Sequence, residues 1–257
     1  MGQNHQEKDY RALLQQALLS LDEMQSRLIA AEKSKREPLA IIGMGFRFPG
    51  GANDADSFWK LLANGVDAIT EVPKQRWDIN RYYDRVPDVT GKMYTRWGAF
   101  LDQVDQFDPQ FFGISPREAV SMDPQQRLLL ETTWEALENG GQASKKLMGS
   151  RTGVFVGMIT SDYSNLAMTS GLINEVDAYF GTGISRSIAA GRIAYTFGLH
   201  GPAVSVDTAC SSSLVAIHQA GQSLRAGECD MAIAGGVNVI LEPYGSTITS
   251  RARMMSF

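Results

Sequence analysis

Cysteine is scarce in this chain of 257 residues: only Cys210 and Cys229 occur. Two are too few for a disulfide framework, and neither has metal-ligand spacing to another cysteine or to a histidine. Histidine is nearly as rare, with His5, His200 and His218. No run of about 18 apolar residues is present to span a bilayer. The polar start, Met1 to Arg11, lacks the hydrophobic segment of a secretory signal. Positive charge is neither in excess nor clustered: 24 Lys and Arg face 28 Asp and Glu, for a net charge of −4. That balance gives no electrostatic footprint for nucleic acid or an anionic membrane. The expectation is a soluble, cytoplasmic chain with no metal centre, with neither nucleic acid nor membrane as partner, and with one thiol available for chemistry.

What is present is ordinary globular material, 44% hydrophobic and 20% charged, enough for one large core or two small ones. Residues 8 to 37 contain no Gly or Pro and end in the charged stretch Glu32 to Glu37 before Pro38. This predicts one helix that stops at a hinge. Leu14, Leu18, Leu21 and Leu28 fall at alternating four- and three-residue steps, with Gln25 in the intervening core position. The result is a short heptad seam. A lone helix of this length is marginal in water, so the stripe should pair with its own copy or with another helix. Packing on the rest of the chain is the alternative.

After Pro38 strand and helix patterns alternate, which predicts an α/β architecture. Leu39 to Gly43 reads as a buried strand and Asp56 to Ala63 as a short helix closed by Asn64-Gly65. Residues 66 to 108, rich in turn formers and aromatics, read as an irregular excursion. Asp123 is placed to cap a helix from Pro124 to about Glu138 that ends at Gly140-Gly141. Further strands are expected at Thr152 to Gly157, Ala203 to Val206 and Met231 to Leu241, with helices near Ile184 to Tyr195 and Ser211 to Arg225. Gly43-Met44-Gly45 after a strand invites a dinucleotide site. The third glycine position, however, is Phe48, and the fingerprint fails.

Chemistry concentrates between Pro202 and Ala216, which read as a buried strand, a tight turn and a helix. A cysteine at that turn sits at the positive end of the helix dipole, where thiolate is favoured. Its own N–H could face an oxyanion that develops during acyl transfer. The logic is that of the strand-to-helix elbow of serine hydrolases, although the hydrolase spacing is absent. A nucleophile and a small space-filling thiol both fit this pattern. Cys229, in the Gly227 to Asp230 turn, reads as packing at the start of the next strand.

The run Asp207-Thr208-Ala209-Cys210-Ser211-Ser212-Ser213-Leu214 resembles the active-site signature of modular polyketide ketosynthases. Other stretches resemble that family's N-terminal hallmarks in the same order: Pro38 to Gly45, Arg47 to Gly50, Phe111 to Ala119, Met122 to Arg127, Ala189 to Arg192 and Ala234 to Asn238. The resemblance spans about residues 38 to 257. It implies a thiolase-like fold, of which this would be the N-terminal half, and a cysteine, Cys210, that carries the growing acyl chain as a thioester. It also implies elongation, because glutamine replaces this cysteine in loading-type decarboxylases. The reaction would be acyl transfer from an acyl carrier protein followed by decarboxylative condensation with a malonyl-type extender. Substrates would ride on the carrier's phosphopantetheine, with no cofactor bound directly.

By the same resemblance, residues 1 to 37 would be a coiled-coil docking segment. It would recognise the C-terminal tail of an upstream synthase subunit and support a homodimer. Residues 38 to 257 would be the first part of the ketosynthase domain. The family's two catalytic histidines come from a C-terminal half that is not among these residues. His5, in the polar tail, does not match them, nor does His200 in its turn. His218 lies eight residues after Cys210, displaced by about 12 Å on one helix and expected to pack there. The chain is therefore expected to be a truncated domain, and the alternative to an elongating enzyme is a catalytically incomplete docking and dimerisation fragment.

Overall fold

The computed structural model describes residues 3–35, 37–170 and 177–256. The first helix, α1 (Gln3–Lys35), starts earlier than the heptad pattern requires, because nothing between Gly2 and Pro38 breaks it. Its seam leucines, Leu14, Leu18, Leu21 and Leu28, are 60–61% exposed. The seam is thus not packed on the rest of the chain. Along the surface of α1, Glu23 and Arg27 form an i,i+4 ion pair at 2.6 Å.

The body of the molecule is built on a parallel sheet of three strands. Its centre is β3 (Thr152–Met158), flanked by β4 (Ala203–Val206) and β5 (Met231–Val237). Val154 aligns with Ala203 on one side and Ile233 on the other. All seven residues of β3 are buried, as a parallel strand covered on both faces must be. Alternate side chains serve different layers. Val154, Val156 and Met158 pack under α4 (Pro124–Asn139) and α8 (Ile188–Phe197), through Leu129, Leu130, Leu137, Ile193 and Phe197. Phe155 faces the other way, onto Ala216 and Ala220 of α9 (Ser212–Arg225).

Within α9 the buried residues Ser212, Ala216, Ala220 and Ser223 recur at helical spacing, and they are small. The helix therefore lies close on the sheet, with Leu214 and Ile217 on its exposed side. His218 is also exposed, so it does not pack as expected; its position falls opposite the sheet-facing residues.

Helix α4 begins as its sequence predicts. Asp123 accepts from the Gln125 N–H at 2.8 Å, Pro124 occupies the first turn, and Gly140 closes the C-terminus. Residues 66 to 108 are irregular, as expected. They hold a short antiparallel pair, β1 (Thr70–Glu71) with β2 (Trp97–Gly98), over a satellite core of Val72, Trp77, Ile79 and Met93. Helix α2 (Ala55–Ala63) precedes them and is capped by Asp54. Helix α10 (Tyr244–Arg251) returns to them, its Ser250 hydroxyl accepting from the Tyr94 N–H at 2.9 Å.

Three further expectations need correction. Leu39 to Gly43 is not a buried strand: it has no regular secondary structure, pairs with no strand among the described residues, and leaves Ile41 85% exposed. What fixes it is contact with α4, since a Cβ on Gly43 or Gly45 would meet the Ala136 or Thr132 carbonyl oxygen at 2.2 Å. The helix expected near Ile184 to Tyr195 is α8, which begins only at Ile188 and runs to Phe197; a separate helix, α7 (Ala178–Ile184), ends before it, with residues 185–187 between them. Strand β5 stops at Val237 and not at Leu241, because the following N–H groups turn to side chains. Val239 donates to Gln125 at 3.3 Å and Leu241 to Asp162 at 2.9 Å.

Candidate active site

Strand β4 runs into Asp207, and α9 begins five residues later. Between them the chain must reverse within a few residues. It does so through Ala209, whose φ of +56° is left-handed. For a residue with a Cβ that conformation costs about 1–2 kcal/mol and persists only where neighbours impose it. Here they do. The Asp207 carboxylate accepts from the Ala209 N–H at 3.1 Å. The Ser212 hydroxyl accepts from the Thr208 N–H at 2.9 Å and donates to the Ala209 carbonyl at 2.6 Å. Ser211 donates to the Thr208 carbonyl at 2.8 Å, which leaves the Thr208 hydroxyl to donate to Ser211 Oγ at 2.8 Å. Asp, Thr and Ser in this run thus act as the scaffold of the turn, by the side-chain to backbone bonding that such residues favour. Cys210 sits at the apex, exposed, immediately before the capping position of α9.

Two glycines bring the start of α9 onto the sheet. A Cβ on Gly157 of β3 would lie 2.7 Å from Ser212 C and Ser213 N, and one on Gly236 of β5 would lie 2.6 Å from Ser213 Cβ. Cys210 is therefore held at the carboxyl ends of the parallel strands, where open α/β sheets place their ligand sites.

The other thiol is different. Cys229 is 2% exposed, donates to Ser223 Oγ at 3.4 Å, and fills the space over Gly153, as a packing residue would. His200 is exposed, and its backbone N–H donates to the Ser150 carbonyl at 2.8 Å. No hydrogen bond joins His200 or His218 to Cys210. The helix α1 contains His5, whose side chain lies outside the described residues. Among the described residues no group of three or more His, Cys, Asp or Glu is arranged to hold a metal ion.

A buried polar network lies on the α4 face of the sheet and was not foreseen from Met122 to Arg127. Asp123, Gln125 and Gln126 are almost wholly buried. The Gln126 amide donates to the carbonyls of Thr182, Gly183 and Ser185 and accepts from Arg192 Nε at 2.6 Å, while Arg192 pairs with Glu118. Gln125 Oε1 accepts from Thr160 and Val239. Burial pushes the Asp123 carboxyl above the ordinary carboxylate range, against the pull of Gln125. Asp162 is raised by burial too, although the Leu241 and Glu242 N–H groups oppose the shift. The sequence signal for this network was two adjacent glutamines at a helix start, where buried amides need partners. A cleft of about 490 Å³ lined by Arg47, Phe100, Gln106 and Glu131 includes no residue of the Cys210 turn.

Residues 36–257 match the family described as Beta-ketoacyl synthase, N-terminal domain. The chain belongs to the β-ketoacyl synthase family. This ketosynthase chain is 51% identical over 252 residues to a component of the phenolphthiocerol/phthiocerol polyketide synthase of Mycobacterium tuberculosis, a match covering 96% of the chain and 11% of that protein. It is 49% identical over 248 residues to the pikromycin polyketide synthase component PikAII of Streptomyces venezuelae, covering 96% of the chain and 7% of the relative. Among solved structures, an oxazolomycin ketosynthase domain from Streptomyces albus superimposes with a TM-score of 0.76 at 40% identity, over 82% of this chain and 36% of that one. The ketosynthase from module 6 of the Bacillus subtilis bacillaene synthase gives a TM-score of 0.75 at 39% identity, over 84% of this chain and 35% of that one. The thiolase-like α/β fold expected of the ketosynthase body is thereby met. The chain spans about a tenth of the curated relatives' length and about a third of the solved ketosynthase chains.

Proposed function

We propose that Cys210 is the acyl-accepting nucleophile of polyketide chain elongation. The observation that carries this reading is the placement of an exposed thiol on a side-chain-braced left-handed turn between β4 and α9, in a chain whose other cysteine is buried and already partnered. Cys210 Sγ attacks the thioester carbonyl of an acyl group held on the phosphopantetheine of an acyl carrier protein. The new C–S bond forms as the carbonyl electron pair moves to oxygen. When that pair returns, the carrier's sulfur leaves as thiolate and takes up the proton released by Cys210. The Cys210 N–H is assigned to the oxyanion. Decarboxylative condensation with a malonyl-type extender follows in the complete domain, in the cytoplasm, with no directly bound cofactor.

Residues 1–37 are assigned to docking with the C-terminal tail of an upstream subunit and to homodimer formation, residues 38–257 to the ketosynthase domain. The exposed leucine seam of α1 supports the docking role. Coverage of only about a third of solved ketosynthase chains favours, for these 257 residues alone, the second reading of a docking and dimerisation piece without condensing activity. Treating the chain with an acyl thioester and mapping the acylated peptide tests the assignment. The acyl group is expected on Cys210 and absent from a Cys210→Ala chain; acylation of Cys229 instead overturns it.

A further inference from the structure

Arg186 lies in the break between α7 and α8 and reaches the ends of two strands at once. Its Nη1 donates to the Ile159 carbonyl, just past β3, at 2.6 Å and to Asp207 Oδ2, just past β4, at 2.7 Å. The other carboxylate oxygen, Asp207 Oδ1, is the one that accepts from the Ala209 N–H at 3.1 Å. One carboxylate thus connects the guanidinium to the left-handed residue that precedes Cys210.

The connection extends inward. The Ser185 carbonyl, one residue before Arg186, accepts from the buried Gln126 amide at 3.2 Å, so the loop that carries Arg186 is tied to the polar network under the sheet. On its other side Ser205 of β4 accepts from the Ala190 N–H at 3.1 Å and donates to the Ser187 carbonyl at 3.4 Å. The base of Arg186 is therefore fixed at both ends. An isolated aspartate can rotate about two side-chain bonds; with Oδ2 held by Arg186, Oδ1 stays aimed at Ala209.

We infer that Arg186, acting through Asp207, is a positioning residue that sets the orientation of the Cys210 turn for acyl transfer. The inference rests on the reading of Cys210 as the nucleophile. The Arg186 and Asp207 side chains are 42% and 48% exposed. An ion pair so exposed adds little to global stability. Its effect is local: loss of the pair frees the Asp207 carboxylate, the Ala209 N–H loses a fixed acceptor, and the Cys210 N–H and Sγ lose their set relation to an incoming carbonyl.

The experiment compares two reactions of Cys210 in the full chain, read by peptide mass spectrometry. Acylation by an acyl thioester needs both the thiol and an oriented N–H; alkylation by iodoacetamide needs only an accessible thiol. Arg186→Ala is expected to slow acylation of Cys210 by about 10- to 100-fold, the size of effect a displaced reacting group produces. Alkylation should stay near the wild-type rate and buried Cys229 should remain unlabelled. Asp207→Asn, which keeps an acceptor for Ala209 but loses the ion pair, should do the same. The double variant should be no slower than the slower single, because both act through one connection. Where Arg186→Ala exposes Cys229 to labelling, Asp207→Asn alone decides by the same criteria. Wild-type acylation rates, equal losses in both reactions, or additive effects in the double variant overturn the proposal. Failure of the nucleophile reading is separate: it shows as acylation that persists in the Cys210→Ala chain while Arg186 is intact.

Discussion

At the residue scale the two thiols separate by environment. Iodoacetamide under native conditions is expected to modify Cys210 and to spare Cys229, which is 2% exposed under Ser223 and Gly153. Denaturation should make the two equal, and mass mapping distinguishes them. A second test concerns Asp162, whose carboxyl is raised by burial against two N–H donors. A carboxyl raised on folding binds its proton more tightly in the folded state. The folded state therefore loses stability from this group as pH rises from the unfolded value toward the folded one. Asp162→Asn keeps an oxygen for Leu241 and Glu242 without the charge. Its thermal midpoint relative to wild type should improve between pH 4 and pH 7; a flat difference would show that Asp162 is not raised. Cysteine placement at a turn was legible in the sequence, since an apolar strand, a polar cluster and a helix pattern flank it. The left-handed Ala209 was not, because alanine carries no signal for that conformation; it is imposed by Asp207 and Ser212.

At the scale of elements, the contact between α9 and the sheet depends on Gly157 and Gly236. Gly157→Ala places a methyl group 2.7 Å from the backbone of Ser212 and Ser213. Overpacking of that kind should cost about 1–3 kcal/mol in denaturant unfolding. It should also slow acylation of Cys210, since the first turn of α9 has to move. Helix α1 makes the complementary case. Burial of each seam leucine would contribute about 1.5–3 kcal/mol at best, so Leu18→Asp with Leu21→Asp should abolish self-association of the chain in sedimentation experiments. A wild-type chain that stays monomeric at high concentration and binds no upstream tail would remove the docking assignment. Strands β3 and β4 and helices α4 and α9 followed from apolar runs, caps and glycine stops. The unpaired segment from Leu39 to Gly43 did not, because an apolar run states that a segment seeks cover and not what provides it.

For the whole molecule, the outer side of α9 and the neighbouring segment from Leu39 expose Leu214, Ile217, Ile41 and Ile42 together with the seam of α1. The family resemblance assigns stabilisation of the decarboxylation transition state to two histidines with no counterpart in these residues. The loss of one such preorganised donor costs about 10²- to 10³-fold in rate. The 257 residues alone should therefore release no carbon dioxide from malonyl carrier protein above a Cys210→Ala control. Supplying the remainder of the domain should restore release. Robust decarboxylation by the chain alone would show that another group does this work.

The family, the α/β pattern and the thiol on which the chemistry is proposed were legible along the chain, because these depend on local order: which residue follows which strand, which residue caps which helix. The tertiary structure decided what holds that thiol in place. Arg186 meets Asp207 across 21 positions, Gly157 meets Ser212, and Gln126 meets Ser185 across 59. Such contacts join residues that have no periodic or motif relation along the chain, and they exist only once burial has brought strands and loops to one end of the sheet.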